Sequence, residues 1–409
     1  MATIAKATTG NVTRTLVMLL GAAVFLNYVD RGAIAIAAPK MKEELGLSAT
    51  EFGMAVSAFF WIYAPVQFVI GWLCDRFSVY RMLALGVVVW AASTLLMGFA
   101  GGFLSLLVLR VMLGIGESII FPGSSKVIAR HVPPEQRGMA NAWCAAGLSF
   151  GPAAGTLAGG IILANYGWRA IFIAFGLLTI LWLFPWRRTV EALPTAASDD
   201  GTPTVPIGVL LRLPSLWAMG IGNAVSNFGF YFLLAFTPLY LVQQRGLSIE
   251  QMTLLTTLGY AVQGAAALAL GAWSDRWTRS GRNEAAMRRA LLSVGQIGTA
   301  ASIVGIAMAD SVTEIGLLLC AAGLASACLP TNLYAVAQMF AGPKSAGTWV
   351  GVQNGLGNVP GIVMPIITGL IIDWTGVYDN AFLLTAGVCA AAALWWGFGV
   401  PAIRRVIAD

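Results

Sequence analysis

The stretch Leu106–Pro122, LLVLRVMLGIGESIIFP, decides how the chain is read. It is apolar enough for a membrane span except at Arg110 and Glu117. These two lie seven residues apart, two helical turns, so both side chains project from one helix face. A charge near the centre of a bilayer costs about 2.5–3.5 kcal/mol on insertion scales. Such a pair persists where the two groups face each other, water or a ligand. A second charged site, Asp30-Arg31, interrupts the first apolar run, AAVFLNYVDRGAIAIAA. The four charges are expected to surround one internal pathway.

Composition agrees with a membrane location. The chain is 58% hydrophobic with only 10% charged residues, against about 25% charged in soluble domains. Crossing a hydrocarbon core takes about 20 helical residues, so 409 residues hold a dozen spans with short loops. Barrel strands would alternate in polarity, and these runs do not. The net charge of +6 is spread over loops and gives no nucleic-acid signal. Cys74, Cys144, Cys320, Cys328 and Cys389 fall in or beside apolar runs without metal-ligand spacing, and read as small core residues with no disulfide. His131, the single histidine, is expected in a solvated loop, RHVPPEQR. No small-residue cleavage site follows the first apolar run, which is expected to be a retained span.

Twelve spans are expected, roughly at 15–38, 50–74, 80–100, 103–130, 137–164, 168–188, 214–240, 251–274, 286–309, 312–340, 346–372 and 378–400. They are called spans 1 to 12 below. Of the 24 Lys and Arg residues, 18 fall on the side of the two termini and 4 on the other. The positive-inside rule then places both termini in the cytoplasm. Residues 189–213 are polar and Pro-rich and read as a linker between an N-terminal six-helix bundle (1–188) and a C-terminal one (214–409).

The halves repeat. Gly71-Trp72-Leu73-Cys74-Asp75-Arg76-Phe77 closes span 2, with Arg81 following. Gly271-Ala272-Trp273-Ser274-Asp275-Arg276-Trp277 closes span 8. Phe121-Pro122 in span 4 is echoed by Leu329-Pro330 in span 10. Internal repeats in a twelve-span protein signal a transporter with its site between the halves.

These motifs resemble the major facilitator superfamily. Within it, Asn27-Tyr28-Val29-Asp30-Arg31, Phe60-Trp61-Ile62-Tyr63, the Arg110-to-Pro122 string and Gly167-Trp168-Arg169 resemble the anion:cation symporter family. The resemblance implies an all-α fold of twelve transmembrane helices in two six-helix halves. It implies uptake of a small organic anion, such as a sugar acid, with protons as coupling ion. No other cofactor or metal, a monomer, and a bacterial inner membrane are expected.

Residue roles follow. Arg31 is the candidate for gripping a carboxylate, because guanidinium offers a planar fork that stays charged. Glu117 and Asp30 are the proton carriers, with Arg110 as the partner of Glu117. A carboxyl held between burial and a neighbouring arginine, which act in opposite senses, releases its proton when its surroundings change. A permanent ion pair between spans is the structural alternative. Tyr63 and Gln67, one turn apart near Trp61, are candidate pocket residues. In the second half, Asn223, Asn227 and Tyr231 share one face of span 7, and Asn354 and Asn358 one face of span 11. Thr331, Asn332 and Gln263 are further polar candidates. Hydroxyl recognition is assigned to this half, with helix–helix hydrogen bonding as the alternative. Asp75, Arg76, Arg81, Asp275 and Arg276 are expected to form a conformational latch through Asp–Arg contacts.

Span 5 departs from the galactonate-type pattern: Cys144-Ala145-Ala146-Gly147-Leu148-Ser149 offers only Ser149 where a polar amide is expected. That leaves uptake of another monocarboxylate, such as an aromatic acid, as an alternative. The row Gly147-x3-Gly151-Pro152-x2-Gly155 also resembles drug:proton antiporters, or serves close helix packing. A non-transporting sensor would need a signalling domain. No nucleophile–base constellation or nucleotide-binding loop points to an enzyme.

Overall fold

The computed structural model describes residues 2–47, 49–193, 205–375 and 377–406, and among them the regular elements are helical. In a bilayer a helix satisfies its own backbone, and the long apolar runs take that form. Span 1 is α1 (Ala2–Glu44), span 2 α2 (Ala49–Arg76) and span 3 α3 (Val79–Met97). Span 4 comprises α4 (Phe103–Glu117) and α5 (Ile120–His131). α6 (Arg137–Leu181) holds span 5 and most of span 6, which α7 (Leu183–Glu191) completes. A short helix, α8 (Ile207–Leu210), precedes α9 (Pro214–Gln243), α10 (Ile249–Arg279) and α11 (Glu284–Met308), which are spans 7 to 9. α12 (Val312–Ser326) and the first part of α13 (Cys328–Gly357) make span 10. The rest of α13 with α14 (Pro360–Thr375) makes span 11, and α15 (Asp379–Leu394) begins span 12.

Two glycines turn one helix into two. Gly167 (φ 79°) separates spans 5 and 6, and Gly342 (φ 62°) separates spans 10 and 11. Both values lie in the left-handed region that glycine enters without a Cβ penalty. The apolar stretches Pro134–Glu191 and Val312–Ile372 run 58 and 61 residues, enough for two crossings each. Prolines set the internal breaks. Pro122 lacks the N–H that would reach Ser118, and Pro330 the one that would reach Ser326. Spans 4 and 10 are interrupted at these places. Pro360 follows a third break, at Asn358-Val359 in span 11.

Small residues set the helix spacing. A β-carbon on Gly147, Gly151 or Gly155 would lie within 2.7 Å of a backbone oxygen of span 1. The glycine row of span 5 therefore seats span 1 directly on it.

The two halves meet on the face that carries most of the Lys and Arg residues. Asp75 Oδ1 accepts from Gly347 N at 3.2 Å, and Oδ2 from Thr348 N at 2.6 Å. Asp275 Oδ1 accepts from Gly138 N at 2.8 Å, and Oδ2 from Met139 N at 3.0 Å. Each aspartate ends a span of one half and caps the N-terminus of a helix from the other, where backbone N–H groups lack intrahelical partners. Lys126 adds a contact to Asp75 at 3.4 Å. The expected Asp–Arg latch is thereby corrected. Arg76 stacks on Trp72 at 5.3 Å, and Arg76, Arg81 and Arg276 are exposed. An exposed guanidinium keeps its hydration, whereas a helix terminus must find acceptors.

Three further expectations are modified. His131 is not a solvated loop residue but partly buried at the end of α5, bonded to the Tyr80 hydroxyl. Of the linker, residues 194–204 lie outside the described residues. Its flanks pack: Leu210 is fully buried and Trp217 Nε1 donates to Leu211 O at 2.8 Å. The cysteines are free, and all but Cys320 are buried.

A β-carbon on Gly351 would meet Gln67 O at 2.4 Å, so Gly351→Val is expected to part spans 2 and 11. With Cys74, now fully buried, as the single cysteine, its alkylation by N-ethylmaleimide should accelerate severalfold. A rate equal to that with Gly351 intact would show that this crossing does not seal the face.

Candidate functional site

The charged centre lies between spans 1, 2, 3 and 4. Arg31 Nη2 contacts Glu117 Oε2 at 3.3 Å. The Glu117 side chain is fully buried, while Arg31 keeps 19% of its side chain accessible. Glu117 Oε1 and Arg31 Nε have no hydrogen-bond partner among the described residues. Three rings box the guanidinium: Tyr28 at 4.8 Å, Phe59 at 4.9 Å and Tyr63 at 5.0 Å. Such faces attract a cation by about 0.5–2 kcal/mol each, which orients Arg31 without neutralising it.

The direct contact of Glu117 is with Arg31, and the expected partnership of Arg110 and Glu117 is electrostatic. Seven residues put the two on one face, but about 10 Å apart along the axis. Arg31 reaches across from span 1 instead. Arg110 lies over the Phe59 ring at 5.1 Å and acts on Glu117 electrostatically.

Asp30 points away from its neighbour Arg31. It is buried and accepts from Trp90 Nε1 and from Thr94 Oγ1, the latter at 3.0 Å. The Trp90 and Thr94 seat on span 3 was missed in the sequence. Its only signal there is the i, i+4 spacing of two donors within an apolar helix.

A cavity opens beside this centre. Tyr28, Tyr63, Phe121 and Leu148 line it from the first half, and residues of spans 7 to 11 from the second. Arg31 lies against the Tyr28 and Tyr63 rings that line the cavity, while Arg31, Glu117 and Asp30 are not themselves part of the lining. Phe121 and Tyr334 stack across the halves with centroids 5.2 Å apart and form part of the lining. One helical turn on from each, Ser125 and Gln338 are bonded to each other, and Asn141 of span 5 is bonded to Gln338, through side-chain bonds of 3.2 Å.

The polar candidates of the second half divide. Asn223, Asn227, Tyr231, Asn354 and Asn358 all line the cavity, yet each is engaged in holding span 11. Asn223 Nδ2 donates to Gln353 O at 3.1 Å and Asn227 Nδ2 to Gly357 O at 2.8 Å. Tyr231 Oη donates to Asn358 Oδ1 at 2.6 Å, and Tyr334 Oη to Asn354 Oδ1 at 3.1 Å. The interrupted stretch around Asn358 needs these partners. Thr331 and Asn332 do not line the cavity: Thr331 bonds Ala327 O, and Asn332 accepts from the buried Arg288 at 3.2 Å.

Of the first-half candidates, Tyr63 lines the cavity, but Gln67 does not. Gln67 is fully buried where span 2 crosses Gly351 of span 11. Trp61 is 52% exposed on the outer surface and forms no pocket wall. Ser149 Oγ donates to Ala145 O of its own helix at 3.1 Å, so Leu148 represents span 5 in the cavity.

The sequence profile of the Major Facilitator Superfamily matches residues 20–287 and 247–407. A hexuronate transporter of Bacillus subtilis (strain 168) is 28% identical over 390 residues, covering 92% of either chain. A probable sulfoacetate transporter of Cupriavidus necator is 29% identical over 388 residues, covering 90% of either chain. Among solved structures, the human organic anion transporter MFSD10 superimposes with a TM-score of 0.76 at 17% identity, over 94% of this chain and 99% of that one. At that identity the likeness speaks to the fold.

The tie from Tyr231 to Asn358 is testable. Tyr231→Phe leaves a buried carbonyl oxygen without its donor, which costs about 1–3 kcal/mol. The denaturation midpoint in detergent should fall accordingly. An unchanged midpoint would show that Tyr231 does not hold the interrupted stretch.

Proposed function

The chain belongs to the Major Facilitator Superfamily, and we propose that it imports a small organic anion together with protons, by alternating access at a bacterial inner membrane. It is a multi-pass membrane transporter and not an enzyme. In this reading the Lys- and Arg-rich face is cytoplasmic, as the positive-inside rule requires.

The observation that carries the proposal is the contact of 3.3 Å between Arg31 and a fully buried Glu117. A substrate carboxylate needs the same guanidinium fork. As it takes Arg31, Glu117 loses its closest compensating charge. An uncompensated buried carboxylate is strongly disfavoured, and protonation removes the charge. Anion binding and proton uptake are thereby one event. Asp30, seated on Trp90 and Thr94, is the second protonation site, and Arg110 sets the field around both. The four charges sum to zero, so a lone anion would leave the centre negative, and at least one proton restores the balance.

The proton-loaded, anion-bound centre then permits the halves to rock. Asp75 and Asp275 leave the helix termini they cap, and the basic face opens to release the anion and then the protons. The names of the relatives, a hexuronate transporter and a probable sulfoacetate transporter, favour an anionic substrate. A sugar acid, an aldonate, aldarate or hexuronate, is the leading class. A less polar monocarboxylate is the second reading, because Leu148 and not an amide lines the cavity from span 5. The antiporter reading has less support. Among the described residues lining the cavity no carboxylate awaits an organic cation, and the glycine row of span 5 is used in seating span 1.

Proteoliposomes on a solid-supported membrane, given a panel of carboxylates at two pH values, test this directly. A pH-dependent current for one class of acid is expected. Silence for every acid with a response to lipophilic cations would reverse the assignment. Arg31→Ala should abolish the current in protein that still elutes as a folded species, and wild-type affinity would remove Arg31 from the site.

Glu117→Gln probes the coupling. It should retain exchange of substrate across the membrane and lose accumulation driven by a proton gradient. Accumulation at the wild-type level would exclude Glu117 as the proton carrier.

A further inference from the structure

The far end of the cavity, inside the second half, differs from the part beside Arg31. Its polar groups are not engaged in holding helices together. Gln296 on span 9 and Thr237 on span 7 are 3% and 1% exposed and line the cavity. Gln296 Oε1 and Thr237 Oγ1 have no hydrogen-bond partner among the described residues. Gln263 and Tyr260 on span 8 also line it, and no side-chain hydrogen bond within the described residues holds either. Leaving a buried polar atom unpaired costs about 1–3 kcal/mol, and two in one cavity point to a partner that arrives from outside the chain.

We propose that Gln263, Gln296, Tyr260 and Thr237 form a subsite for the uncharged, hydroxyl-bearing end of a monoanionic substrate whose carboxylate is held at Arg31. This rests on the transport reading above and deepens it. Amides and hydroxyls both donate and accept, which suits a row of hydroxyls. Among the described residues lining the cavity none is Lys, Arg or His, so a second carboxylate at that end would be buried without a counter-charge. The geometry therefore favours an aldonate or a hexuronate over an aldarate. The asparagines of spans 7 and 11, engaged at 2.7–3.1 Å in holding the interrupted stretch, shape the wall between the two ends.

Four probes separate the ends of the site. D-gluconate and D-galactonate carry one carboxylate and a hydroxylated tail. Glycerate keeps the carboxylate but lacks the long hydroxylated tail. D-glucarate places a second carboxylate at the far end. Substrate-induced currents are recorded for the wild type, Gln296→Leu and Gln263→Leu, with Gln296→Asn as the conservative variant. The wild type should half-saturate at lower concentration with an aldonate than with glycerate or glucarate. Each Leu variant should raise the half-saturating concentration of the aldonate about tenfold, the scale of a lost buried hydrogen bond, while glycerate stays within about twofold. Gln296→Asn should recover part of the loss. The glycerate response of the same preparation reports that the variant is folded.

Equal losses for glycerate and aldonate, unchanged aldonate currents in both Leu variants, or a wild-type preference for glucarate would each overturn the subsite. Proton-coupled anion transport would still stand in those cases. Absence of current with every carboxylate at either pH would overturn the transport reading itself, and the subsite with it.

Discussion

The ion pair between Arg31 and Glu117 is the constraint around which the first half is arranged. In a medium of low dielectric the desolvation of two charges can exceed their mutual attraction, so such a pair is a poor source of stability. Its surroundings suit exchange of partners instead. Glu117 is sealed, while Arg31 retains some access. The rings of Tyr28, Phe59 and Tyr63 hold the guanidinium in place without supplying a competing negative charge. Asp30 would be such a competitor, being adjacent in sequence. Neighbours on a helix point about 100° apart, and Trp90 and Thr94 fix Asp30 in the other direction. Two acids and one accessible arginine can thus share a small volume without permanent neutralisation.

The second half answers with uncharged groups. Its proline-associated breaks fall where the cavity forms. Span 11 is interrupted at Asn358, and the side chains of Asn223, Asn227 and Tyr231 reach it from span 7. A break in a transmembrane helix exposes backbone groups that lipid cannot satisfy. Here neighbouring side chains meet that need, and the bonds that steady span 11 also occupy the residues that look most like ligand contacts.

The motifs made the fold legible in the sequence. Twelve apolar runs, the G-x-x-x-D-R string in each half and the echo of Phe121-Pro122 in Leu329-Pro330 lead to the observed architecture. The placing of Arg31, Glu117 and Tyr63 close together was also readable, because intramembrane charges are few. Partner assignment was not. Periodicity puts Arg110 and Glu117 on one face but says nothing of Arg31 arriving from span 1, nor of Phe59 taking up Arg110. The D-R strings suggested Asp–Arg pairs, whereas the aspartates cap helix termini in the other half. Backbone N–H groups leave no mark in a sequence. Gln296 and Thr237 gave no signal either, because a lone polar residue in an apolar helix reads the same whether it faces a cavity or a neighbour.

The closed face and the charged centre share a single segment. Glu117 ends α4, and the break before Pro122 follows at once. α5 then carries Phe121 against Tyr334, Ser125 against Gln338 and Lys126 against Asp75. A short turn later Gly138 and Met139 receive Asp275. Charge-assisted bonds of the kind the aspartates make are worth about 1.5–3 kcal/mol each, and both aspartates must let go for the face to open. The seal is therefore held by a handful of interactions, a scale that differential binding can overcome. Because the break lies between Glu117, at the end of α4, and α5, the upper half-helix can adjust to protonation while the lower half keeps its grip. The lower half releases only when the second half, through Tyr334 and Gln338, moves with it.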